Sequence, residues 1–102
     1  LIDKNKSLNY DPNALNNSMS LQWTSSKTAL TELIYALHHS RSINNGNADI
    51  KEIAIMFQKV LHFDIGDYYK TFSEIKSRKI SRTKFLDDLS SGLLSHIKNS
   101  EE

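Results

Sequence analysis

The nine residues Lys76–Lys84, KSRKISRTK, carry five of the chain's thirteen basic side chains, and no acid falls between Ile75 and Leu86. Fixed positive charge at this density suits a polyanion, the phosphate backbone of nucleic acid above all. Ser81 and Thr83 add hydroxyls to the run and, at the start of a helix, free amides for the same phosphate. Extending the window to residues 70–84 brings in Lys70 and gives six basic residues against one acid, Glu74. The plainer reading of such a run is a solvated helix end. The choice between the two depends on what holds the run in place.

No other constellation carries chemistry as well. His38 and His39 are adjacent and diverge by about 100° on a helix, so they do not share a metal face. His62 and His96 are isolated, and no HExxH or Cys/His spacing occurs. Asp87 and Asp88 diverge in the same way and read as helix-start charges. No serine sits in a GxSxG setting, and there is no Gly-rich phosphate loop. With no cysteine there is no disulfide, thiolate metal site or cysteine nucleophile. The expectation is a protein that is not an enzyme, with no catalytic residues, no metal and no cofactor.

The elements that would position the basic run follow from periodicity. Ser25 or Ser26 caps a first helix with Leu30, Leu33, Ile34 and Leu37 on one face and His38–His39 in its last turn. Asn44–Asn45–Gly46–Asn47 is a turn, with Gly46 supplying a positive φ. Asn47 or Asp49 opens a second helix, roughly 49–61, with Asp49 and Glu52 at capping-box spacing and Ile50, Ile53, Ala54, Phe57, Val60 and Leu61 as its stripe. A break at His62–Gly66 leads to a third helix at about 67–78 that buries Tyr68, Phe72 and Ile75 and turns Lys70, Glu74 and Ser77 outward. A fourth helix follows Lys79–Ser81, carrying Phe85, Leu86, Leu89, Leu93 and Ile97 on one side. Gly92 inside it costs about 1 kcal/mol relative to alanine and points to close packing there. Leu21–Trp23 and Ser42–Ile43 are long enough to pair as a minimal strand ribbon.

Two amphipathic helices joined by a short turn have the plan of a helix-turn-helix, whose second helix can enter the major groove. The basic run begins at the end of that second helix. Each feature also has a plainer role: Glu74 and Arg78 as an i, i+4 surface pair, Tyr68 as core rather than a base-stacking platform, Trp23 as a lid over the first helix start. One hundred and two residues make one modest core, and the net charge of +1 with a pI near 8.2 does not mark a nucleic-acid binder by itself. No apolar run approaches a membrane span, so no membrane partner is expected. Residues 1–20, rich in Asn, Ser and Asp with the one proline, read as an irregular lead-in or linker. The start at Leu1 rather than methionine reads as a piece of a longer chain.

Several segments together resemble one family. They are Trp23–Thr28, Glu32–His38, Ile43–Ala54, Asp67–Phe72, Ser77–Lys79 and Arg82–Asp87, in this order and spacing. The stretch from Leu21 to Glu102 is similar to the C-terminal domain of RteC-type regulators, found on tetracycline-resistance conjugative transposons of Bacteroides and relatives. The resemblance implies a winged-helix-like DNA-binding domain of a transcriptional regulator that activates excision genes of the mobile element, in the bacterial cytoplasm with the nucleoid. It also implies an N-terminal helical domain outside the present sequence. The span from Lys79 to Arg82 leaves little room for a two-stranded wing, so a reduced wing, or one built from the Leu21 and Ile43 segments, is expected.

The expectation is therefore a mainly α, compact winged-helix or helix-turn-helix-like domain with a minimal β-ribbon, binding double-stranded DNA. Lys70, Ser77 and Arg78 are placed nearest the bases, and Lys76, Lys79, Arg82, Thr83 and Lys84 at phosphates. A homodimer or the further N-terminal domain would strengthen a single weak module. The competing expectation is a helical protein-interaction module with a solvated basic face.

Overall fold

A computed structural model describes residues 20–101, and the expected lead-in at 1–20 lies almost wholly outside them. Four α-helices follow one another: α1 at Lys27–His39, α2 at Ile50–Leu61, α3 at Tyr68–Lys76 and α4 at Lys84–Glu101, with a single 3-10 turn at Asn44–Gly46. The described residues are thus mainly helical, as the periodicity implies.

The caps explain the boundaries. The Ser26 hydroxyl accepts the Ala29 amide at 3.0 Å and starts α1. At α2 the capping box is complete: the Glu52 amide donates to Asp49 Oδ1 at 2.8 Å and the Asp49 amide to Glu52 Oε1 at 2.9 Å. Asp67 Oδ1 accepts the Lys70 amide at 3.1 Å and opens α3. Each such cap is worth about 1 kcal/mol. Between α1 and α2 the chain passes through Asn44, Asn45 and Gly46 at φ of 51°, 56° and 88°. Asparagine tolerates that region and glycine enters it freely. At Gly46 a Cβ would also meet the Arg41 guanidinium at 2.5 Å, the movable end of a flexible side chain, so it is the positive φ that opposes a substitution there.

Helix α1 is the axis of the domain, because α2, α3 and the start of α4 all pack on it. Leu30, Ile34, Ala48, Ile53, Ala54 and Ile65 form the buried core, flanked by Trp23, Leu33, Ile43, Phe57, Phe63 and Tyr68. Ile65 comes from the α2–α3 connection that breaks the periodicity. It is fully buried, and its amide donates to Gln58 Oε1 at 3.0 Å, which removes the cost of burying an unpaired donor. Tyr35 of α1 and Phe72 of α3 stack with ring centroids 3.8 Å apart and planes 5° apart. Trp23 lies over the α1 start, its Nε1–H donating to the Ser26 carbonyl at 2.9 Å and its ring meeting Phe85 edge-on at 5.6 Å.

Two expectations are corrected. The minimal β-ribbon does not form among the described residues. The Trp23 amide donates to the Leu61 carbonyl at the end of α2, and the Ser42 amide turns back to the Leu37 carbonyl. Each segment therefore completes a helix end instead of pairing with the other. Close packing at Gly92 is also absent among the described residues, none of which lies within 4 Å of the position its Cβ would take.

Candidate nucleic-acid interface

The basic run occupies the connection between α3 and α4, and its own side chains shape it. Ser77 caps the end of α3, with its amide donating to the Ser73 carbonyl at 3.1 Å. Arg82 then reaches back across the loop. Its Nε–H donates to the Arg78 carbonyl at 2.9 Å and its Nη2–H to the Lys76 carbonyl at 2.8 Å. A cation there satisfies carbonyls that a helix end leaves without partners and suits the negative end of the macrodipole. The chain reverses at Ser81, which holds φ at 56°. Arg78 Nη1–H donates to the Ser81 carbonyl at 3.1 Å and pins that turn.

Arg78 is anchored on its other side by Glu32 of α1. Its Nη1 lies 3.6 Å from Glu32 Oε1, with the Glu32 side chain only 5% exposed and that of Arg78 31%. Glu32 Oε2 accepts the Leu86 amide at 2.9 Å, across 54 residues of sequence. One buried carboxylate thus pairs with the start of the basic loop and caps the helix that follows it. Among the described residues Glu32 Oε1 has no hydrogen-bond partner, so the Arg78 ion pair carries its compensation.

The eight expected site residues divide accordingly. Arg78 and Arg82 are the braces just described. Lys76, Lys79 and Lys84 are exposed around the same loop. Lys76 Nζ sits 5.5 Å over the Phe72 ring, and Lys84 Nζ lies 3.1 Å from Asp88 Oδ2. The Ser77 hydroxyl donates to the Glu74 carbonyl at 2.9 Å, and that of Thr83 to Asp87 Oδ1 at 3.2 Å. Lys70 is exposed on α3, about 9 Å along the helix axis from Lys76. The structure therefore gathers seven of the eight in one loop and its flanks and sets Lys70 one and a half turns away. Arg78 pairs with Glu32 at 3.6 Å rather than with Glu74.

Sequence reasoning passed over two residues. Ile80, 82% exposed between Lys79 and Ser81, puts an apolar side chain at the tip of the loop. Glu32 lies about 160° round α1 from Leu30 and Ile34 and about 140° from Leu37, so the apolar stripe places it in solvent. The missed signal was composition: within Lys27–His39 only Lys27 and Glu32 carry formal charge, and a helix so poor in charge is covered on more than one side.

Beside the loop a groove of about 210 Å³ is lined by Ser25, Ser26, Thr28, Glu32, Arg78, Lys84 and Asp88, mixing both signs of charge. On α3, Tyr69 is exposed while Tyr68 packs against the core. Burial first, then the neighbouring Tyr69, pushes the Tyr68 hydroxyl up to about 12. The Tyr35 hydroxyl is raised by burial and by Tyr69 and Asp67. His38 Nδ1 lies 3.1 Å from the Ala48 carbonyl, a structural contact. Among the described residues no three His, Cys, Asp or Glu side chains cluster to hold a metal, and no helix is long and apolar enough to cross a membrane.

A small helical domain built round α1, with a braced basic loop after α3, is the class of protein these observations define. The family described as RteC protein matches residues 2–101, and the chain belongs to that family. The match begins well before Leu21, where the sequence resemblance starts. No curated protein and no solved structure matches the chain.

Proposed function

We propose that this chain is the double-stranded DNA-binding part of a transcriptional regulator that controls excision or transfer genes of a mobile element, working at the bacterial nucleoid. The observation that carries the reading is the set of exposed lysines, Lys70, Lys76, Lys79 and Lys84, around the end of α3 and the loop that follows. In a helix-turn-helix reading α2 and α3 form the pair, α1 supports both, and α3 enters the major groove with Lys70, Tyr69 and Ser77 toward the bases. The Ser77–Thr83 loop then takes the place of a wing and holds phosphates through Lys79 and its neighbours. Arg78 and Arg82 contribute charge to that surface while their hydrogen bonds fix its shape.

The test is binding of the 102-residue chain to a labelled duplex across a salt series. Affinity should fall steeply with salt, with a slope set by the number of phosphates neutralised. Absence of duplex binding at low salt, by this chain and by a longer parent containing it, removes the proposal. One observation favours a second reading, a helical protein-interaction module: α4 exposes Leu89, Leu93, Leu94 and Ile97. In that reading a partner is retained after Lys70, Lys76, Lys79 and Lys84 are neutralised.

A further inference from the structure

Among the described residues, nothing buries α4 beyond its first turn. Phe85 and Leu86 are half-buried against the domain, whereas every described residue from Asp87 to Glu101 is exposed. The exposed face is not polar. Leu86, Leu93 and Ile97 fall within about 40° of one another round the helix, with Leu89 and Leu94 on either flank. Leu93 and Leu94 are 61% and 60% exposed. Among the described residues this amphipathic pattern covers no core.

We propose that α4 is a self-association surface on which two copies of this chain pair antiparallel, with the two-fold axis at Leu93. That register sets Leu89 against Ile97 of the second copy and Leu93 against its own equivalent. The charges select the orientation. Along α4 they run Lys84, Asp87, Asp88, then Lys98 and Glu101. Reversed about Leu93, Asp87 comes within one residue of level with Lys98 and Lys84 within one residue of Glu101, opposite signs in each case, and the two helix dipoles oppose one another. A parallel pair sets each of these charges against its own copy.

The pairing does not depend on the DNA reading and is measured without DNA. Analytical ultracentrifugation of the 102-residue chain should show a monomer–dimer equilibrium in the micromolar range, as befits a single helix pair. Leu93→Glu should leave a monomer of unchanged helicity by circular dichroism. Asp87→Lys or Lys98→Asp should each weaken the dimer by about fivefold, and the two reversals together should restore it. Because the chain has no cysteine, single thiols report the register directly. Leu93→Cys should form a disulfide-linked dimer on oxidation, and Leu89→Cys should not. An equimolar mixture of Leu89→Cys and Ile97→Cys chains should cross-link to each other. A chain that stays monomeric to about 300 µM overturns the proposal, whether the stripe is bare or covered by residues 1–19 of the same chain. Leu89→Cys cross-linking as readily as Leu93→Cys, or species larger than a dimer, overturns it as well.

Discussion

The inner and outer sides of the basic loop carry the same sign of charge and do different work. Inward, Arg78 meets buried Glu32 and Arg82 gathers the carbonyls of Lys76 and Arg78. Outward, Lys70, Lys76, Lys79 and Lys84 stand in solvent. The division follows from side-chain chemistry. A planar guanidinium with a fork of donors can bridge several acceptors at once, whereas an ammonium on a flexible stem is a hydrated point charge. Counting charge in KSRKISRTK therefore overstates what is available to a ligand, and the arginines count first as architecture.

The largest effect that tests this division is expected at Glu32. Glu32→Ala leaves Arg78 without its buried partner and the Leu86 amide without its cap, and should lower stability by about 3 kcal/mol in urea unfolding. A loss below about 1 kcal/mol would show that the inner side is not a brace. Arg82→Ala should cost about 1–2 kcal/mol, and Arg82→Lys should recover only part, because one ammonium does not reproduce two bonds to two carbonyls.

On the outer side, Lys79→Ala and Lys70→Ala should stay within about 0.5 kcal/mol of the parent in stability. Each should nonetheless reduce the slope of log affinity against log salt for duplex by about one unit. A lysine variant that unfolds the domain as readily as Arg82→Ala would erase the distinction.

The smallest effect is alkaline. The Tyr68 hydroxyl is raised from 10.0 to about 12, burial first and Tyr69 next, so the fold favours its neutral form. Its contribution is complete below pH 10 and is lost as pH rises from 10 through about 12. Urea midpoints followed across that window should decline, and less steeply in Tyr68→Phe.

Much of this arrangement is legible in the residues. The Asp49–Glu52 box, the Ser26 cap and the stripes of α1 to α3 are local or periodic, and local physics decides them. The four helices and the position of the basic loop follow from those signals. What the residues do not reveal is long-range. A search for strands finds Leu21–Trp23 and Ser42–Ile43 because alternation is a local property, but whether two such segments meet depends on the carbonyls the helix ends leave free. Ile65 lies in a connection with no period and is drawn into the core because α2 and α3 both lean on α1. Glu32 looks solvent-facing until α4 closes over that side. For the candidate interface, the lysines read correctly as exposed positions from α3 periodicity and loop placement. The inward turn of Arg78 required a partner 46 residues earlier.

The bond from the Leu86 amide to Glu32 also has a mechanical meaning. α4 has 18 residues and, at 1.5 Å per residue, extends about 27 Å from a base held chiefly by one carboxylate and the half-buried Phe85 and Leu86. A tilt of about 10° at that base sweeps the far end through about 5 Å. Because Glu32 grips the basic loop through Arg78 and this lever through Leu86, a load applied at Ile97 reaches the loop along the Thr83–Lys84 backbone and, in parallel, through this one buried carboxylate.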